Sequence, residues 1–327
     1  MKRRKFVGAL AGGLFVLPLT SMAQNTQKSA RVGWLGWTGA AGASPSLEPL
    51  DAFRSGLADR GWQEGKNLAI VIRAGDGSQA RDLAEELVRS GVDVIVAQGP
   101  MIFAARAVAG AVPMVFNING DPVEAQLVAS LSRPGGNLTG ITALSSELAG
   151  KRLELLKETV PRVTRIAAIA NQSHPGVQTE QKASKAAARK LGVTLQWFPV
   201  YSVADFQTTF DAIVHDGSGA IVAIPDTLIN QQAPLIAEFA ARRRLPTISG
   251  WAEFTAAGNL MSYGPNLRGY YRQVAVYVDK LLRGAQPTSI PVEQPTEFEL
   301  AVNLKAAKIL GINMPRSVML RADTVIR

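Results

Sequence analysis

The chain has 327 residues, 47% of them hydrophobic and 19% charged, which suits a globular protein with a sizeable core and a length of about two domains. It contains no cysteine, so disulfides, thiolate metal sites, a thiol nucleophile and a lipidated cysteine are all excluded. The formal net charge of +9 comes without a basic patch interleaved with aromatic residues, which argues against a nucleic-acid partner.

The first 23 residues read as a signal peptide. Lys2, Arg3, Arg4 and Lys5 form a basic start, Phe6 to Leu19 is apolar and broken by Pro18, and Ser21-Met22-Ala23 offers small residues at a cleavage site. The apolar part is too short for a membrane span, and the polar run from Gln24 to Ser29 follows at once. Arg3-Arg4-Lys5-Phe6-Val7 fits a twin-arginine signal as well as a general secretory one. Either route leads to the periplasm, and cleavage takes the net charge from +9 to +5.

Short apolar runs then alternate with amphipathic stretches. Strands are predicted at Arg31 to Trp37, Leu68 to Arg73, Val92 to Ala97 and Pro113 to Asn117. Helices fall between them at Ser46 to Arg60, Ser78 to Arg89 and Met101 to Ala109, and a further helix is expected from Asp121, as its cap, to Ser130. After the turn Arg133-Pro134-Gly135-Gly136-Asn137 come a short strand, Leu138 to Thr142, and a helix, Glu147 to Thr159. The alternation then restarts. Strands are expected at Arg165 to Ala170, Thr194 to Val200, Ala220 to Ile224, Pro246 to Ser249 and Asn259 to Tyr263, with helices at 177–191, 203–214, 230–243 and 267–283. The tail adds a strand, Phe298 to Val302, and a helix, Leu304 to Leu310. Two consecutive βαβα runs predict an α/β protein with two parallel sheets, each covered by helices on both faces. Ligands in such folds bind at the carboxyl edges of the strands, so two facing lobes make a cleft.

The search for catalytic chemistry returns little. His174 and His215 are the two histidines, and neither has metal-ligand spacing. Neither a Gly-x-Ser-x-Gly elbow nor a phosphate-binding Gly-x-x-x-x-Gly-Lys loop occurs. Gly33, Gly36 and Gly39 are spaced three and three, and Trp34 and Trp37 fill the turn where a pyrophosphate needs close backbone approach, so no nucleotide cofactor is implied. The better signal is the polar and aromatic residues that follow predicted strands. In the first half these are Trp37, Thr38, Gln98, Gly99, Pro100, Met101, Asn119 and Asp121. In the second half they are Asn171, Ser173, Tyr201, Asp226, Thr227, Trp251 and Glu253. Taken singly each has a bland alternative, such as a helix cap for Asp121 or Asp226. Together they converge on one cleft.

Asn119-Gly120-Asp121-Pro122-Val123 followed by Arg133-Pro134-Gly135-Gly136-Asn137-Leu138-Thr139-Gly140 resembles a pattern of ABC-transporter substrate-binding proteins of the tryptophan- and tyrosine-importer type. The resemblance extends through Phe53-Arg54-Ser55-Gly56-Leu57, Gly61-Trp62 and Gly65-Lys66-Asn67-Leu68 to Asn303–Ile312, Met314-Pro315 and Arg321-Ala322-Asp323. It implies a type I periplasmic binding protein fold, with two Rossmann-like lobes joined by a three-strand hinge. The expected division is residues 24–143 with 257–290 for the first lobe and 144–256 with 291–327 for the second, with crossovers near 142–146, 250–258 and 290–297. The implied function is an extracytoplasmic solute-binding protein of an ABC importer, not an enzyme, and without a metal or cofactor. It would act as a monomer that captures a small amino-acid-like, aromatic or carboxylate solute and delivers it to an inner-membrane permease and its ATPase. In such a site Gln98 to Met101, with Thr38, would meet a carboxylate at a helix N-terminus. Asp226, or second Glu253, would take an ammonium group, and Trp37, Tyr201 and Trp251 would stack on the side chain. Relatives often carry a threonine after the third strand where this chain has Gly99-Pro100-Met101, which leaves the solute open. A periplasmic ligand sensor and a secreted enzyme on the same two lobes are the alternative readings.

Overall fold

The computed structural model describes residues 29–38, 47–75, 77–143 and 145–327. The expected signal peptide, 1–23, lies outside the described residues. The first half runs β1 (Ala30–Trp37), α1 (Leu47–Ala58), β2 (Leu68–Gly75), α2 (Ala80–Arg89), β3 (Val94–Gln98), α3 (Met101–Val108), β4 (Met114–Ile118) and β5 (Leu138–Thr142). Next come α4 (Ser145–Thr159), β6 (Arg165–Asn171), α5 (Val177–Lys190), β7 (Thr194–Val200), α6 (Asp205–Asp216) and β8 (Ala220–Ala223). They are followed by α7 (Thr227–Gln231), α8 (Ala233–Arg243), β9 (Thr247–Ser249), α9 (Ala252–Ala256), β10 (Met261–Pro265) and α10 (Leu267–Leu282). A 3₁₀ turn (Pro287–Ser289), β11 (Phe298–Asn303), α11 (Leu304–Leu310), α12 (Arg316–Met319) and β12 (Thr324–Ile326) complete the chain.

Two sheets form. The first has the order β2-β1-β3-β4-β5 and is parallel throughout. The second has the order β12-β11-β10-β9-β8-β6-β7. Read from β7, its first five strands repeat the order of the first sheet. The strands are apolar on both faces because helices cover both. In β3, Ile95 and Ala97 face the core beneath α2 and α3, while Val94 and Val96 face the one beneath α1 and α10. In β6, Ala167 and Ile169 point to one side and Ile166, Ala168 and Ala170 to the other.

Three expectations are corrected. The domain division fails around 257–266. Strand β10 pairs with β9 in parallel and with β11 antiparallel, so it belongs to the second sheet and not to the first lobe. The second crossover is therefore the Pro265–Leu267 step rather than 250–258, and α10 then packs against α1 and the first sheet. The antiparallel pair also makes the second sheet mixed. Residues 121–130 form turns instead of a helix. Asp121 Oδ1 accepts the N–H groups of Val123 and Glu124, but Gln126 adopts φ +55°, which a continuing right-handed helix does not allow. The expected helix at 230–243 is two helices, α7 and α8, with Pro234 near the start of the second.

The Pro-Gly-Gly-Asn-Leu-Thr-Gly segment serves the hinge. Asn137 Nδ2 donates to Gly110 O and Val112 O, and Thr139 Oγ1 donates to Ile290 O at 2.7 Å. A side chain at Gly140 would place its Cβ 2.1 Å from Phe116 O, so β4 and β5 approach only with glycine there. The second lobe is pinned beneath its cleft face by one buried ion pair. Arg152 on α4 donates from Nη1 to Glu180 Oε1 on α5 at 2.8 Å and from Nε to Tyr263 O on β10 at 3.0 Å. Both side chains are essentially inaccessible. Removing one partner of such a pair strands a buried charge. Glu180→Ala is expected to lower unfolding free energy by about 3–5 kcal/mol in denaturant titration, while a double Arg152→Met, Glu180→Met variant recovers most of the loss.

Candidate ligand-binding cleft

With the strand order 2-1-3-4-5, the direction in which successive strands are added across the sheet reverses between β1 and β3 in the first lobe and between β6 and β8 in the second. Crevices open at the carboxyl ends of strands on either side of such a point. The two crevices face each other. From the first lobe the cleft is lined by Trp37 after β1, Gln98 and Gly99 after β3, and Asn117, Ile118 and Asn119 at the end of β4. From the second it is lined by His174 after β6, Asp226 and Thr227 after β8, and Trp251 after β9. Ala143 and the segment Pro265, Leu267, Tyr270 and Tyr271 close it at the crossovers.

The lobes touch. Asn119 Nδ2 donates to Pro225 O at 2.5 Å, and the Thr179 hydroxyl donates to the Glu124 carboxylate. Between these contacts two glycines meet backbone to backbone. A Cβ on Gly176 would lie 2.5 Å from Asn119 O and 2.8 Å from Gly120 Cα. This is a closed arrangement, and any side chain at either glycine holds the loops apart.

The polar groups of the cleft are buried. Asp226 caps α7. Its Oδ1 accepts from Leu228 N at 2.8 Å and Ile229 N at 3.4 Å, and from Asn171 Nδ2 at 3.0 Å. Burial outweighs these bonds and pushes its carboxyl up to about 6. Burial also pushes the His174 imidazole down to about 4, so it is neutral at ordinary pH. Its Nδ1 accepts from Gly176 N at 3.1 Å, which puts the ring proton on Nε2. Among the described residues, Gln98 Nε2 and Asn119 Oδ1 are buried without a hydrogen-bond partner, while the Asn117 amide faces the Tyr271 phenol as a hydrogen-bond neighbour. Tyr270 donates its hydroxyl to Ile141 O at 2.9 Å, and burial raises the Tyr271 phenol to about 12. The first lobe thus offers amide N–H donors, the second a carboxylate, and aromatic rings fill the space between.

Of the residues expected from sequence, Trp37, Gln98, Gly99, Asn119, Asp226, Thr227 and Trp251 line this cleft. The others do not. Met101 is fully buried in the core beneath α3. Thr38 is buried with its N–H on Gly75 O, and Pro100 is the N-cap residue of α3. Asp121 is spent on its turn. Asn171 works one step back, orienting Asp226, with its Oδ1 on Ser173 N; Ser173 itself is exposed. Tyr201 is 62% exposed, because β7 is an edge strand whose end lies away from the crevice. Glu253 faces a neighbouring cavity. Asn117, at the end of the fourth predicted strand, and His174, in the loop after the strand Arg165 to Ala170, also line the cleft; the residues missed are Tyr270 and Tyr271. Tyr270 and Tyr271 open a helix, and only the crossover brings them to the cleft.

Two doubly wound lobes that close polar strand ends over one aromatic-walled cleft define a type I periplasmic binding protein, a receptor that captures a small solute. Residues 44–326 match the family described as ABC transporter substrate binding protein, and the chain belongs to that family. A tyrosine-binding protein of Clostridioides difficile (strain R20291) is 26% identical over 273 residues, 82% of this chain and 78% of that protein. A Streptococcus pneumonia ABC domain solved in complex with L-Trp is 26% identical, with a TM-score of 0.83, covering 91% of this chain and 100% of that one. A conserved domain protein of Vibrio cholerae is 29% identical over the same shares, also with a TM-score of 0.83. Substrate-binding proteins of ABC importers act outside the cytoplasm. Among the described residues no helix is long and apolar enough to cross a membrane.

The glycine contact yields a direct test. Gly176→Ala should fold normally yet resist closure, so ligand-dependent compaction in small-angle scattering should shrink and affinity should fall by about tenfold or more.

Proposed function

We propose that the cleft captures a zwitterionic amino acid with an aromatic side chain. One juxtaposition carries this reading. The buried Asp226 carboxylate stands on the second lobe, and the unpartnered amide of Gln98, with the Asn117 amide near it, stands on the first, lining the same cavity. An ammonium group meets Asp226, and a carboxylate meets the amides, with the His174 Nε2–H as a further donor. Trp37, Trp251 and Tyr271 enclose the side chain, where aromatic contacts add to area burial. The relatives named for tyrosine and tryptophan support the same solute class.

The protein acts as a monomeric periplasmic receptor, exported through a cleaved signal sequence at 1–23. It releases its solute to a permease powered by an ATPase in the inner membrane. It binds its solute without acting on it, as substrate-binding proteins of its family do; among the described residues the cleft pairs a carboxylate with amides and rings.

A thermal-shift screen of the mature protein tests the solute class. A true ligand at 100 times its dissociation constant should add about 2.7 kcal/mol of stability, with L-tryptophan, L-tyrosine or L-phenylalanine ahead of aliphatic amino acids, sugars and simple carboxylates. Stabilisation by a sugar alone would refute the assignment. Asp226 sets the pH dependence. Its carboxyl titrates at about 6 in the folded protein against an ordinary 3.8. Between these values the native state holds a proton that the unfolded chain has released, so the unliganded protein gains stability as pH falls through that window. Ammonium binding needs the ionised form, so affinity should drop below pH 6, approaching about tenfold per pH unit. Calorimetric titration from pH 8 to 5 should show this slope in the wild type. Asp226→Asn should bind weakly with a flat profile.

A further inference from the structure

A second cavity, of about 290 Å³, adjoins the cleft. Leu267 and Tyr271 line both, so the two cavities meet at the start of α10. The opposite wall is the start of α1, and α9 contributes Glu253. The chain thus puts two consecutive functions on one short helix start. Trp251 faces the cleft, and two residues later Glu253 faces the second cavity.

The Glu253 carboxyl is the unusual group there. Its Oε2 is buried and, among the described residues, has no hydrogen-bond partner. Burial raises its pKa, with the nearby Glu48 and Glu299 charges adding to the effect. The other polar groups of the cavity are engaged or turned to solvent. Asp51 pairs with Arg54 at 3.4 Å, the Ser55 hydroxyl donates to Asp51 O at 2.8 Å, and Arg268 is exposed. A buried acceptor left unmet is costly. Glu253 lines the second cavity together with Leu267 and Tyr271, which also line the cleft.

We propose that the second cavity receives the far end of the solute's side chain and that Glu253 accepts a hydrogen bond from an N–H or O–H group there. Glu253 is then a specificity-determining residue, favouring an amino acid whose ring carries a donor, an indole or a phenol, over one with a plain hydrocarbon ring. The inference rests on the aromatic-amino-acid reading. A site built to satisfy a polar partner rejects the analogue that lacks it, because the site's own group is left unpaired.

Calorimetry on the full mature chain tests this with L-tryptophan, L-tyrosine, L-phenylalanine and L-lysine. The wild type should bind the better of tryptophan and tyrosine about 10- to 100-fold more tightly than phenylalanine. Glu253→Leu should erase that ratio while keeping or improving phenylalanine binding, and Glu253→Gln, still an acceptor through its carbonyl, should keep part of it. A test that needs no variant uses 3-benzothienylalanine, in which sulfur replaces the indole N–H at nearly constant shape. The wild type should bind it at least about tenfold more weakly than tryptophan. An unchanged ratio in Glu253→Leu, equal binding of the sulfur analogue, or tighter binding of lysine than of any aromatic would overturn the role of Glu253 alone. If none of the three aromatic amino acids binds the wild type, the solute class itself fails and the inference falls with it.

Discussion

Everything in the cleft depends on the approach of two loops that carry no side chains at their point of contact. Asn119-Gly120 follows β4 and Pro175-Gly176 opens α5, and the two backbones meet where a single methyl group would collide. That contact brings the carboxyl ends of β1, β3 and β4 opposite those of β6, β8 and β9. It also brings Asn119 onto Pro225 O and Thr179 onto Glu124. The bonds are few and small, as a receptor that must reopen requires. Most of the free energy of closure then has to come from the solute.

The buried polar groups follow from the same geometry. Closing the lobes removes water from Asp226, Gln98, Asn117 and Asn119, and desolvation without a partner is unfavourable. Asp226 is partly compensated by Asn171 and the start of α7, yet its carboxyl still sits well above the usual range. Such groups are destabilising on their own and favourable with a complementary ligand. The hinge supplies the opposing rigidity. Arg152 ties α4, α5 and β10 together through Glu180 and Tyr263 O, and Thr139 ties β5 to the chain just before the third crossover.

Much of the fold was legible in the chain because its strands are short, apolar and regularly spaced between amphipathic helices. The strand-end residues Trp37, Gln98, Asn119, Asp226 and Trp251 line the cleft. The errors have physical causes. Tyr201 follows a real strand, but β7 lies at the sheet edge, and strand order is not written in local periodicity. Met101 begins a helix whose first side chain turns into the core. Strand β10 was assigned to the wrong lobe because its decisive neighbour, β11, lies more than thirty residues later in the chain. The turn at Asp121 imitates a helix start, with a capping carboxylate followed by proline, and only the backbone at Gln126 stops it.

By itself, the sequence determined the class of structure, two α/β lobes with parallel strands, because hydrophobic periodicity and turn chemistry are local properties. It also put polar and aromatic residues after its strands, at the edge from which such folds bind. The tertiary structure alone decided which of those residues face one another. Convergence depends on strand order, on where the chain crosses between lobes and on how closely two glycines approach. These bring Tyr270 and Tyr271 to the cleft and turn Glu253 into the cavity beside it, and each is set by contacts between segments far apart in the chain.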